Sequence, residues 1–256
     1  MMVFLLPIFG FIIGIVASLA GIGGGVFIVP LLTLLYDFSP AQAVGTSLTS
    51  IIFTSSASTI NYARQKRIYY KIGLILAIST VPGAFLGAYL TSIIEERLLG
   101  LIFGFFLMFV AFRMIFRFNP SGKNFGVISE EMLFENKRKL WMGFLLSFFG
   151  GVFSGLLGIG GGSLLVPIMN LVMGMGMHVT TATSMFTMIF TSTSGVVKHL
   201  SLGNVAVEQA LLLASGTVFG SQLGANVSKK ISAGNLRRIF GLILIVISIR
   251  MILKYI

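Results

Sequence analysis

The stretch GIGGGVFIVP at residues 21–30 returns as GIGGGSLLVP at residues 158–167, and the chain around it repeats in the same register. At an offset of 137 residues, with no gap, Thr46-Ser47 falls on Thr183-Ser184 and Thr54-Ser55 on Thr191-Ser192. Gly83 and Gly87 fall on Gly220 and Gly224, and Arg113-Met114-Ile115 on Arg250-Met251-Ile252. Chance does not hold register over most of two half-chains, so the sequence is an internal duplication. Residues 1–118 form a first repeat, 119–139 a polar linker and 140–256 a second repeat.

Composition sets the solvent for that unit. Hydrophobic residues make up 56% of the 256, charged residues 10%, and mean hydropathy is +1.00, against roughly 25% charged residues in soluble domains. The expected class is an all-α polytopic integral membrane protein. Each repeat reads as five hydrophobic segments: near 3–20, 26–36, 41–62, 72–93 and 98–117, then 140–157, 163–173, 178–199, 206–227 and 236–255. The segment after each GIGGG has about 11 residues, or roughly 16 Å of helix. That is too short for a hydrocarbon core of about 30 Å, which predicts a broken or re-entrant element and about 8–10 membrane segments in all. The apolar N-terminus lacks the basic region of a signal peptide, and a similar segment recurs at 142–157, so it counts as part of the fold.

Loop charges report the relation between the copies. After the third segment the first copy carries Arg64, Lys66, Arg67 and Lys71, the second only Lys198 and His199. After the fourth segment the order reverses: Glu95, Glu96 and Arg97 against Lys229, Lys230, Arg237 and Arg238. The excess of Lys and Arg on the cytoplasmic side therefore places equivalent loops on opposite sides, and predicts two inverted-topology repeats. Inversion requires an odd number of crossings per copy, met by three full spans plus a re-entrant pair. The linker, ending in Lys137, Arg138 and Lys139, is then cytoplasmic and both termini are outside.

Several function classes drop out. The absence of cysteine excludes disulfides, iron–sulfur clusters and thiol catalysis, and two histidines with seven carboxylates leave little for a metal centre. No Ser/His/Asp, paired-Asp or His-Glu-x-x-His arrangement is present. The chain reads as no enzyme, with no catalytic residue, cofactor or metal. The net charge of +11 lies in short runs beside apolar segments and marks topology, not nucleic-acid binding.

What remains is the pattern of secondary transporters, whose interrupted helices form substrate sites near the midplane where inverted repeats meet. Gly23, Gly24 and Gly25, with Gly160, Gly161 and Gly162, can take positive φ and present backbone N–H groups at the start of the following helix. A plain alternative is that they allow close helix packing. In the third segments Thr46, Ser47, Ser50 and Thr54 are matched by Thr183, Ser184, Thr187 and Thr191, hydroxyls able to donate to an anion or to glue helices together. Lys198 closes the same face and could attract anions, whereas His178 reads as a loop residue. Ser39, Pro40 and Gln42 read as a helix cap, Arg113 and Arg250 as snorkelling ends, and Gly83, Gly87, Gly220 and Gly224 as packing positions. None of the carboxylates falls in mid-span, which favours an anionic or neutral cargo and leaves a coupling ion unassigned.

The doubled GIGGG-x4-P, with Gly-Thr-Ser at 45–47 and Ala-Thr-Ser at 182–184, resembles the sulfite exporter TauE/SafE family of bacterial and archaeal permeases over nearly the whole chain. The resemblance implies a multi-pass protein of the cytoplasmic membrane of a prokaryote that moves sulfite, organosulfonates or related small anions by alternating access. A channel of the same architecture and a membrane subunit of a larger complex stand beside that reading. Its partners would be the lipid bilayer and a small anionic substrate.

Overall fold

The computed structural model describes residues 2–115, 130–228 and 234–256. Most of the expected linker, and Lys229 and Lys230, lie outside the described residues, as do the side chains of Arg237 and Arg238. The chain is helical throughout the described residues, beginning with a short 3-10 turn at Met2–Leu5. In the first half α1 is Leu6–Ala20, α2 Gly25–Leu35, α3 Pro40–Arg64, α4 Tyr70–Leu90 and α5 Glu96–Ile115. A short α6, Glu130–Glu135, precedes α7, Lys137–Leu157. Then follow α8, Gly162–Pro167, running on as a π-helical turn over Ile168–Val172, and α9 Met177–Ser201, α10 Val207–Val227 and α11 Gly234–Tyr255. Every expected hydrophobic segment is thus a helix, displaced at its ends by a few residues.

Local chemistry explains the boundaries. Ser39 caps α3 by accepting the Gln42 N–H at 3.3 Å, with Pro40 as the first helical residue. Asn136 accepts the Lys139 N–H at 3.2 Å and so starts α7 inside the segment read as linker. The α4, α5 and α7 helices are long and apolar enough to cross a membrane. At 25 residues each, α3 and α9 reach about 38 Å, but they carry their many hydroxyls into the protein interior, where Thr46, Ser47, Ser50, Thr54, Thr183, Ser184, Thr187 and Thr191 are all fully buried.

The halves exchange partners. Helix α1 runs parallel to α10, with Gly10 against the Leu213 carbonyl, Gly14 against Thr217 and Gly224 against Ile15. The equivalent pair, α7 and α4, does the same, with Gly83 against Phe148, Gly87 against Val152 and Gly155 against Ala84. These glycines bring backbone onto backbone, the packing that apolar helices use where burial in lipid gives no hydrophobic drive. Equivalent helices instead meet antiparallel. Gly45 of α3 lies against His199 of α9 and Leu48 against Gly195; Gly104 of α5 lies against Ile252 of α11, and Ile115 against Gly241. Like pairing with like in opposite directions is the contact pattern of a two-fold axis running across the helices.

Two ends follow from these directions. At one, Gln65 donates to the Ala225 carbonyl (3.2 Å), Arg67 to the Ser228 hydroxyl (3.2 Å), and the Ile72 N–H to Glu130 (3.1 Å). This end carries Arg64, Lys66, Arg67, Lys71, Lys137, Arg138 and Lys139. At the other, Lys254 pairs with Asp37 at 3.1 Å and donates to the Thr33 carbonyl at 2.7 Å, while Arg97 holds the Tyr255 carbonyl at 3.0 Å. Here acids and bases are mixed, Glu95, Glu96 and Glu208 among them.

Candidate functional site

Each GIGGG breaks its helix by the same backbone device. Helix α1 stops at Gly21 (φ 73°), and Gly23 (φ 78°) and Gly24 (φ 93°) turn the chain into α2; Gly158, Gly160 and Gly161 repeat this at 68°, 72° and 84° before α8. All six are in the left-handed region, which costs a residue with a Cβ roughly 1–2 kcal/mol. Neither α2 nor α8 has a side-chain cap at its start; the Phe27 and Leu164 N–H groups are taken by the Gly24 and Gly161 carbonyls at 2.9 and 3.0 Å.

The two breaks meet each other in the interior. A Cβ on Gly25 would strike the Gly158 carbonyl oxygen and lie 2.6 Å from the Ile159 Cα; one on Gly162 would strike the Gly21 carbonyl oxygen and lie 2.9 Å from the Ile22 Cα. Long-range hydroxyls complete the exchange: Ser47 of α3 donates to the Gly158 carbonyl at 2.8 Å, and Ser184 of α9 to the Gly21 carbonyl at 2.9 Å. Ile51 and Met188, each midway along its helix, both border Gly23 and Gly160. Residues 21–30 are buried without exception. The arrangement is two uncapped helix starts held face to face, with the nearest hydroxyls engaged by the carbonyls that end the preceding helices.

Neighbouring hydroxyls have different partners. Thr46 accepts the Ala206 N–H and Thr183 the Tyr69 N–H, both at 3.1 Å, which pins the residues that begin α10 and α4. Thr187 donates to the Gly73 carbonyl at 3.2 Å, and Thr191 shares a hydrogen bond of 2.6 Å with Thr80, so both sit in the contact with α4. Thr54 donates within its own helix to the Ser50 carbonyl at 3.0 Å. The Ser50 hydroxyl is buried with no hydrogen-bond partner. The structure therefore brings both GIGGG stretches together with Ser47 and Ser184, Gly25 and Gly162 starting α2 and α8 without the positive φ that the other glycines of the motif take, and places Thr46, Thr183, Thr187 and Thr191 at helix contacts beside them. Lys198 lies apart, its ammonium 5.7 Å from the centre of the Phe85 ring and 5.1 Å from that of Tyr89. Valine at position 46 or 183 is expected to lower thermal stability by about 1 kcal/mol while leaving anion affinity unchanged, a comparison made by paired melting and binding curves.

Three residues depart from the sequence reading. Arg113 turns inward and donates to the Ser163 carbonyl at 3.2 Å. That carbonyl would ordinarily bond the N–H four residues on, but the position is Pro167, which has none. The proline of GIGGG-x4-P thus frees an acceptor that the arginine serves. Arg113→Ala is expected to cost about 1–3 kcal/mol in thermal unfolding. His178, expected in a loop, lies in the first turn of α9 with its Nδ1 against the Arg67 guanidinium, because Gly176 starts that helix early. Position 62 was missed: Tyr62 is fully buried and donates to the Ser18 carbonyl at 2.7 Å, as its counterpart His199 bonds Gly155 at 3.0 Å. The offset that aligned the glycines also pairs these two.

The model of the family described as sulfite exporter TauE/SafE matches residues 6–251. The chain belongs to that family. It is 35% identical to a probable membrane transporter protein, YunE, of Bacillus subtilis, over 97% of this chain and 96% of the relative. A probable membrane transporter protein of Methanocaldococcus jannaschii is 32% identical, over 97% and 95%. No solved structure matches. As a TauE/SafE protein the chain is a multi-pass membrane protein of a transporter family, and both glycine breaks lie within the region the family model covers.

Proposed function

We propose that the protein is a secondary carrier that moves small sulfur-containing anions, such as sulfite or organosulfonates, across the cytoplasmic membrane of a prokaryote by alternating access between two inverted repeats. The observation that carries this reading is the reciprocal pair of breaks. The starts of α2 and α8 carry no side-chain cap and meet backbone to backbone, so an anion between them would lie at the positive ends of both helix dipoles, with Ser47 and Ser184 beside it. An anion entering between the breaks would take those hydroxyls from the Gly158 and Gly21 carbonyls, trading one acceptor for another. The cargo is then held by exchangeable hydrogen bonds without a fixed counter-charge, which suits release.

Antiparallel contact of equivalent helices supports the inverted arrangement, with the cross-helix axis lying in the membrane plane. The end rich in Lys and Arg is assigned to the cytoplasm. Because the chain has no cysteine, single replacements report sidedness directly. Lys66→Cys, in the loop after α3, is expected to react with an impermeant maleimide only from the cytoplasmic side, and Ser201→Cys, at the equivalent end of α9, only from the outside; labelling of both from one side contradicts the inversion. Closure of the breaks against each other favours a carrier over an open channel. Thermal-shift screening with sulfite, thiosulfate, sulfoacetate, taurine and acetate tests the ligand class, and stabilisation by none of them refutes it.

A further inference from the structure

His199 is the titratable side chain that the anion site leaves unused. It is fully buried, two residues before the last residue of α9, at the less basic end of the fold. Its Nε2 lies 3.0 Å from the Gly155 carbonyl oxygen. A carbonyl only accepts, so Nε2 carries the ring hydrogen and Nδ1 is left with a bare lone pair. That Nδ1 is buried and has no hydrogen-bond partner. In the first half the equivalent bond, to Ser18, is made by Tyr62. A phenol does not change charge near neutral pH, whereas an imidazole does. The two halves thus hold the helix turn before each break with the same bond, and in the second half alone the holding group can take up a proton.

Its surroundings leave room for one more positive charge only if a negative charge arrives. On α9 itself, Lys198 is turned to the Phe85 and Tyr89 rings of α4. The facing turn of α3 offers Gly45 and the uncharged Thr46, α7 offers Gly155 and Ser154, and the connection to α10 offers Asn204. Glu208, in the first turn of α10, is exposed. No carboxylate among the described residues forms an ion pair with the ring. A few residues along α7 from Gly155 stands Gly158, whose carbonyl holds Ser47 at the break.

From this geometry we infer that His199 is the proton site of the carrier: Nδ1 takes a proton when an anion occupies the breaks, so that anion and proton are bound together. The inference rests on the anion-carrier reading and names its coupling ion. Protonation converts neutral imidazole to imidazolium with no other bond made or broken, and the bound anion supplies the compensating charge. By linkage, each favours the other's binding by the same factor.

The test uses thiosulfate, whose charge is constant over the range, with the intact protein in detergent between about pH 5.5 and 8.5. In the wild type, and equally in His178→Gln, the thiosulfate Kd is expected to rise up to about tenfold per pH unit above the imidazole titration. In His199→Gln, whose amide can still donate to the Gly155 carbonyl, Kd is expected to be flat with pH. Thiosulfate binding that is independent of pH in the wild type, or a slope that survives in folded His199→Gln, overturns the proton site and leaves the anion reading intact. Failure of thiosulfate, sulfite, sulfoacetate and acetate to bind at any pH removes the anion reading itself, and the linkage with it.

Discussion

Alanine at Gly25 or Gly162 is expected to abolish recovery of folded, monodisperse protein, or to lower its unfolding free energy by about 3 kcal/mol or more. The added Cβ at Gly25 would meet the Gly158 carbonyl oxygen and the Ile159 Cα, and at Gly162 the Gly21 carbonyl oxygen and the Ile22 Cα; these are backbone atoms that no rotamer change moves aside. Two other glycines calibrate the effect. At Gly161 the nearest atom to an added Cβ is 3.5 Å away, so alanine there carries only the left-handed backbone cost of about 1–2 kcal/mol. At Gly176 nothing lies within 4 Å and the backbone is extended, so alanine should be nearly neutral. Melting curves that rank the four sites otherwise would mean that the breaks do not bear on each other as described.

The second large effect belongs to Ser47 and Ser184. Each alanine removes the donor to a buried carbonyl and is expected to lower stability by about 1–3 kcal/mol. The same change should weaken anion binding by about tenfold or more, as one charge-assisted hydrogen bond is lost. Threonine at either position keeps the hydroxyl and should recover most of the affinity. Titration of the four single variants, with folding followed separately, checks both halves of the expectation. Alanine variants that bind anion as tightly as the wild type would confine these serines to holding the breaks together.

The architecture was largely legible because a membrane chain writes its elements as apolar runs, and a duplicated one writes them twice. The helix ends fell within a few residues of α3, α4 and α9, and the interruption at GIGGG was visible since four glycines in five residues strongly disfavour a continuous helix. The division of labour among the hydroxyls was not legible. Thr46 and Ser47 are adjacent, as are Thr183 and Ser184, yet the serines reach the breaks and the threonines pin the starts of α10 and α4. Helical spacing gives the face on which a side chain lies, but which neighbour meets that face depends on how α3 and α9 cross, and this is set by contacts far away in sequence. Arg113 shows the same limit. Its position at a helix end suggested snorkelling, and only the proximity of α5 to a carbonyl freed by Pro167 turns it inward. Tyr62 and His199 could have been found from the sequence, since the repeat aligns them, but a phenol and an imidazole do not look alike until both are seen on equivalent carbonyls.

The central claim is that an anion is carried through the meeting point of the two breaks. The most direct measurement is flux by the purified protein, alone, in liposomes loaded with sulfite, thiosulfate or sulfoacetate. The account predicts uptake that saturates with concentration, is accelerated by the same anion on the far side, and falls about tenfold or more in Ser47→Ala and Ser184→Ala. Absence of flux for every anion, or flux that is linear, shows no acceleration by counter-anion and is indifferent to both serines, would contradict it.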